Sequence, residues 1–283
     1  MCASAAIQTG STVRRRFRPV LPTRPDWALA SPLGLVYGFF FILPLLVLLW
    51  ISFHNDNELT ELGLASWQKF LSDPFYLSVM ADTLKLGLLT VVAASVLSYP
   101  IVFLFVEAGQ TVRRVLLVLV ALPLLTSVVV RTFAWIAILS REGLVNNTLQ
   151  AIGLISEPVR LLQTEFGLIL SLMQIEMPLM LLPLLAVVQR LDPRLIEASL
   201  ALGASRWETM RRVLIPLSLP GWIAGASLVF ASSTTAFISQ SVIGGGRLVY
   251  LPTLIWQQAT VVYNWPFAAV VSIVLLVSVL AGI

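Results

Sequence analysis

The stretch EASLALGASRWETMRRVLIPL, residues 197–217, lies between two long apolar runs and is the part of the later chain that reads as a pair of soluble-type helices. Just upstream, Asp192 is placed as an N-cap and Pro193 as a first helical residue. Leu195 to Leu202 are helix-compatible, and Gly203 suits the position after a helix end, where positive φ is cheap for glycine. Ser205-Arg206-Trp207-Glu208 then reads as a capping box that opens a second helix running to about Ile215. Pro216 and Pro220 are expected to shape the return to the next apolar run. Trp207, Met210, Val213 and Leu214 give the second helix an apolar stripe beside Arg206, Arg211 and Arg212. Spacing alone leaves two readings open: a compact knob that fits a partner's groove, or a basic amphipathic connector lying among lipid headgroups.

Outward from this stretch the chain is dominated by hydrocarbon. Of 283 residues, 58% are hydrophobic and only 11% charged, whereas soluble domains are about a quarter charged. Six apolar runs predict six spans, at about 33–53, 78–106, 115–139, 166–188, 217–240 and 265–283. Each is near the 20 residues that a helix needs to cross roughly 30 Å of hydrocarbon. The expected fold class is therefore an all-α polytopic membrane protein with six transmembrane helices. Its parts are a basic tail (1–31), a first span with an outer loop (32–77) and a core of five spans (78–283) that carries the loop at 190–216.

The net charge of +4 is concentrated in arginines beside the apolar runs. With the N-terminus inside, the inner segments carry Arg14, Arg15, Arg16, Arg18, Arg24, Arg113, Arg114, Arg190, Arg194, Arg206, Arg211 and Arg212. The outer loops carry Lys69, Arg141, Arg160 and Arg247. That asymmetry predicts both termini, and the 190–216 loop, on the cytoplasmic side. It reads as an orientation signal in a lipid bilayer, and no nucleic-acid partner is expected. The first apolar run is longer than a signal-peptide core and is expected to be retained as a span. The last run reaches Ile283 with no charged flank, as expected of a chain that continues further.

Cys2 and His54 are the single residues of their kinds. No Cys/His metal site, no Cys/His or Ser/His catalytic pair and no internal disulfide can be built from them, so the metal expectation is none. No G-x-x-x-x-G-K-[ST] phosphate loop occurs, so no phosphate-binding role is expected of this chain. Outer loop one (54–77) offers Trp67, Phe70, Leu71 and Phe75 as an apolar face lying on the membrane surface. In outer loop two (140–165), LVNNTLQAIGLI reads as a short helix.

The opening stretch resembles the EAA loop of ATP-binding-cassette importer permeases. That motif is Glu-Ala-Ala, three residues, Gly, nine residues, an aliphatic, one residue, then Leu-Pro. Here the matching positions are Glu197, Ala198, Ser199 for the second Ala, Gly203, Val213, Ile215 for Leu, and Pro216. The resemblance extends over about 78–283. It implies a type I importer permease fold and a coupling helix, with Glu197, Ala198, Ser199, Gly203, Ala204, Arg206, Trp207, Met210 and Pro216 seated against an ATPase subunit. VRTFAWIAIL (130–139), SVIGGGRLVYLPTLIWQQ (241–258) and NWPFAAVVSIVLL (264–276) are similar to permeases of the spermidine/putrescine type. The partners this implies are a second, similar permease chain, two ATPase subunits and an extracytoplasmic binding protein. ATP and Mg would sit on the ATPase subunits, with no cofactor held by this chain, in a bacterial inner membrane. The implied function is non-enzymatic: alternating-access import of a polyamine or a related amine or amino-acid-like compound. The alternative from a different class is a secondary transporter of a small cation, driven by an ion gradient through Glu176 and Asp82.

Glu176 falls about ten residues into the fourth run, which puts an ionisable group near mid-membrane, where such groups are costly. It either lines a cation path or is held structurally: neutral, hydrogen-bonded near Pro178, or paired with Arg131. Asp82 and Arg131 are both expected toward the outer face, where an ion pair between them would satisfy each. Ser233, Thr234 and Gln240, in the polar end of the fifth run, either line a path or bond between helices. Trp256 and Tyr263 are members of an interfacial aromatic belt, or of a cation cage. Gly244 to Gly246 form either a turn or a gate.

Overall fold

In a computed structural model, residues 27–192 and 194–283 are described; the basic tail and Pro193, with its expected role as first helical residue, lie outside them. The chain divides into two units, 1–47 and 48–283. α1 (Trp27–Tyr37) runs through a π-helical turn (Gly38–Ile42) into α2 (Leu43–Ile51). Ser31–Ile51 is long and apolar enough to cross a bilayer. The wide turn sits just ahead of Pro44, whose ring offers no N–H to a regular ladder.

The second unit is built from α3 (Ala65–Ser72), α4 (Pro74–Glu107), α5 (Gln110–Ala121), α6 (Val128–Leu139), α7 (Leu144–Ala151) and α8 (Glu165–Val188). It continues with α9 (Arg194–Ala201), α10 (Arg206–Thr209), α11 (Ile215–Thr234), α12 (Phe237–Gly244), α13 (Leu251–Thr260) and α14 (Trp265–Gly282). Among the described residues the only β pairing is an isolated bridge between His54 and Leu62.

α4, α8 and α11 pack on one another as a central bundle. Lipid is as apolar as leucine, so nothing hydrophobic drives helices together in it; close approach and van der Waals contact must. Gly221 and Gly225, spaced G-x-x-x-G on α11, supply that approach. A Cβ at Gly225 would lie 2.9 Å from the Met180 carbonyl oxygen of α8, and one at Gly221 2.8 Å from that of Pro183. Gly87 of α4 likewise faces Phe230 and Thr234 of α11. Met180, Leu181, Leu184, Leu185, Val102 and Phe105 fill the space around these contacts and are nearly fully buried.

Three expectations are corrected. The run at 115–139 is not one rod: α5 ends in a 3₁₀ turn (Leu122–Leu125), and the helices on either side are bent by 98°. Pro123 removes a helical donor there, and the Thr126 N–H and hydroxyl both turn back to the Pro123 carbonyl. The second helix of the 190–216 loop does not stop at Ile215. It runs through a π turn (Met210–Leu214) into α11 as one 29-residue span, Arg206–Thr234. Widening by one residue, with the Ile215 N–H reaching Met210 O, lets the helix pass Pro216 without a break. The fifth span ends at Thr234, and α12 is a separate helix after a break at Thr235–Ala236.

At the opposite end from the 190–216 loop, α3 packs on α4 and α14. Phe70 is buried there against Tyr76, while Leu71 and Phe75 are exposed. The face expected to lie on the membrane surface is therefore split, with Phe70 turned into the protein. α7 is the short helix expected in the second outer loop.

Candidate functional site

The 190–216 segment folds as an elbow. The Asp192 carboxylate accepts from the Arg194 N–H at 3.0 Å and starts α9. Gly203 has φ +84°, the left-handed conformation that lets Gly203 N–H and Ala204 N–H turn back to Leu200 O and Ser199 O. Ser205 then caps α10 reciprocally: its hydroxyl accepts from Glu208 N–H at 3.2 Å, and Glu208 accepts from Ser205 N–H at 3.0 Å. The Ser199 and Thr209 hydroxyls meet at 2.9 Å and tie the two arms together.

The elbow's faces are distinct. Thr209, Met210 and Leu214 are buried against the bundle, whereas Trp207 is 64% exposed, so the apolar stripe expected on this helix is divided. Glu197, Ala198, Gly203, Arg206 and Pro216 are also exposed, and Ser199 and Ala204 half-buried. Behind α9 lies a cleft of about 260 Å³ whose lining includes Phe105, Arg113, Val188, Ile196 and Glu197. Arg113 closes the end of α4, its guanidinium donating to Phe105 O at 2.9 Å and to Val106 O at 2.6 Å. These are carbonyls of the last turn, which have no helical donor. Arg206 pairs with Glu107 of α4 at 2.9 Å. The result is an exposed, basic, aromatic-tipped projection, rigid within itself and tied to one long helix.

A second constellation sits at the middle of the bundle. Glu176 lies eleven residues beyond the start of α8, roughly 17 Å along it, and is 6% exposed. Arg131 is not at an outer face: it donates to the Ile175 carbonyl at 2.8 Å, mid-way along α8. That carbonyl is next to Gln174 O, whose helical donor Pro178 removes. The expected Asp82–Arg131 pair does not form, and no ion pair within 4.0 Å joins Arg131 to Glu176 among the described residues. The bend before α6 explains the misplacement, because Arg131 belongs to the first turn of a half-span.

Trp135 Nε1 donates to Gln174 Oε1 at 3.0 Å, and the Thr132 and Ser239 hydroxyls meet at 3.0 Å. Ser233 and Thr234 are buried and donate to their own helix at Phe230 O. Gln240 Nε2 donates to Ser233 O and Thr234 O, which closes the open end of α11. Gln174 was not singled out from sequence; a lone Gln in an apolar run carries no periodic signal.

Asp82, Trp256 and Tyr263 lie elsewhere. Asp82 lines a pocket of about 160 Å³ with Glu165, Arg247 and Tyr250, and Glu165 pairs with Lys85 at 2.8 Å. Trp256 is half-exposed and packs on Phe237, their centroids 5.9 Å apart. Tyr263 is exposed at φ +58°. Gly245 and Gly246 take positive φ in the turn that ends α12.

Residues 106–283 match the family described as binding-protein-dependent transport system inner membrane component. The chain is 32% identical over 239 residues to the spermidine/putrescine transport system permease protein PotB of Haemophilus influenzae, covering 83% of each chain. It is 32% identical over 240 residues to PotB of Escherichia coli K12, covering 83% of this chain and 87% of that one. A solved chain of a bacterial ABC transporter that imports the acidic polysaccharide alginate shares the fold at TM-score 0.73 and 21% identity, covering 90% of this chain and 93% of that one. The chain belongs to the family of inner membrane components of binding-protein-dependent transport systems: it is a multi-pass permease subunit of an ABC importer, and not itself an enzyme.

Proposed function

We propose that this chain, paired with a second, similar permease, carries a small organic solute bearing an ammonium group into the cytoplasm by alternating access. The class is a polyamine or a related amine or amino-acid-like compound. The spermidine/putrescine names of the relatives at 32% identity support that class, and so does the buried Glu176 carboxyl at mid-bundle. Both termini and the elbow face the cytoplasm, in keeping with the arginine asymmetry.

The observation that carries the mechanism is the elbow itself. A projection with Trp207, Arg206 and Glu197 on its free surface, fixed internally by a capping box and a hydroxyl pair, is built to be pushed as a unit. Two ATPase subunits, holding ATP and Mg, close against it. An extracytoplasmic binding protein delivers cargo to the other side, and this chain holds no cofactor. Glu197, Ala198, Ser199, Gly203, Ala204, Arg206, Trp207, Met210 and Pro216 form or support the docking surface. Glu176, Asp82, Ser233, Thr234, Gln240, Trp256 and Tyr263 form or support the path, the last two near its outer mouth.

Uptake of radiolabelled amines into proteoliposomes that contain the whole assembly tests this. Transport that stops without ATP and persists with a protonophore supports the reading; transport that survives ATP depletion refutes it.

A further inference from the structure

At the junction of α6, α8 and the α11–α12 break, two buried polar atoms have no hydrogen-bond partner among the described residues: Arg131 Nε, a donor, and Gln240 Oε1, an acceptor. α6 and α12 touch beside them: the hydroxyls of Thr132 and Ser239, each one residue along the chain from these two, meet at 3.0 Å. The third group there is Glu176, which directly follows Ile175, the residue whose carbonyl takes the Arg131 guanidinium at 2.8 Å. Buried polar atoms are seldom left unpaired, and interrupted helices at mid-membrane are where transporters hold cargo. Arg131 is only half-buried in this chain, so the junction has an open side.

The charges decide what such a cargo carries. With Glu176 ionised, one carboxylate and one guanidinium sum to zero. A diamine entering this low-dielectric region would add two positive charges beside Arg131, which repels both. A molecule with one ammonium and one anionic group leaves the junction neutral. Its ammonium donates to Glu176 and Gln240 Oε1, and its anionic group accepts from Arg131 Nε–H, so each unpaired atom is matched. We infer that the junction is a binding site for an amino-acid-like zwitterion, with the ammonium toward Glu176 and Gln240 and the anionic end toward Arg131. This rests on the reading that Glu176 meets the cargo, and it narrows that reading from amines in general to molecules carrying an anion as well.

The test compares matched pairs of labelled probes of equal carbon number: 4-aminobutanoate against 1,4-diaminobutane, and 5-aminopentanoate against 1,5-diaminopentane. Each is offered to proteoliposomes holding the complete importer and its binding protein. The expected result is ATP-dependent uptake at least tenfold faster for the amino acid of a pair. Arg131→Gln is expected to raise its KM about tenfold and to narrow or reverse the preference. Should that variant fail to reach the membrane, the wild-type comparison alone decides. Faster diamine uptake overturns the zwitterion site and leaves amine import standing; ATP-dependent transport of none of the probes overturns both.

Discussion

Arg206 on the elbow and Glu107 at the end of α4, 99 positions apart in sequence, meet at 2.9 Å. Beside them Ile196 and Leu200 of α9 face Phe103 and Val106 of α4 across a seam with only about 10 Å³ free. The elbow therefore has a charged and an apolar hold on the longest helix of the bundle, and a push on it reaches α4 directly.

The ion pair is exposed, so its loss should change stability by less than ~1 kcal/mol. Its effect should instead appear in transmission. Arg206→Glu is expected to lower uptake roughly fivefold or more, a coupling loss of about 1 kcal/mol, at an unchanged membrane level. Combined with Glu107→Arg it should recover most of that loss. Uptake assays beside immunoblots of the membrane fraction check this, and a double variant no better than the single would remove the pair from the pathway of motion.

Gly203 offers a test of backbone rather than of contact. A Cβ there would meet nothing within 4 Å, but φ is +84°. Gly203→Leu is expected to strain the turn by about 1–2 kcal/mol and to abolish both uptake and ATPase stimulation while membrane insertion persists. Gly203→Asn, which tolerates the left-handed region, should keep part of both activities.

The small-residue contact of α11 with α8 predicts a stability effect. Gly225→Leu must separate the two helices and should destabilise the purified permease by about 1–3 kcal/mol or more. Gly109→Ala, which meets open space, should be near neutral. Thermal unfolding in detergent distinguishes them; equal melting temperatures would contradict the packing.

Asp56 predicts a pH response of the first outer loop. Its carboxylate accepts from Thr60 Oγ1 at 2.6 Å and from the N–H groups of Thr60 and Glu61, which lowers its pKa to about 2. A carboxyl depressed in the folded state stabilises at pH values above its unfolded pKa, and that contribution disappears as pH falls through the folded value. The loop should therefore resist proteolysis down to about pH 4 and loosen only toward pH 2. Asp56→Asn should cleave faster at neutral pH.

The elbow was legible in sequence because its signals are local: a carboxylate cap, a glycine at a helix end and a capping box at fixed offsets. The number of apolar runs followed from length and composition. What was not legible is where a run breaks. Pro123 bends a span by 98°, whereas Pro216 is absorbed by a π turn, and a sequence window assigns both the same weight. The G-x-x-x-G contact went unread because apolar runs hide helix-facing small residues. Arg131 was misplaced because its depth depends on the bend, and the Arg131–Ile175 bond lies between elements that no local pattern connects.

The most direct test of the account is a cross-link from the elbow tip. With Cys2→Ser and Trp207→Cys in the complete importer, a short thiol cross-linker should join position 207 to the ATPase subunit, with a yield that changes between the nucleotide-free and ATP-bound states. If position 207 is labelled only by lipid-soluble reagents and never reaches the ATPase in any nucleotide state, the elbow is not the coupling element.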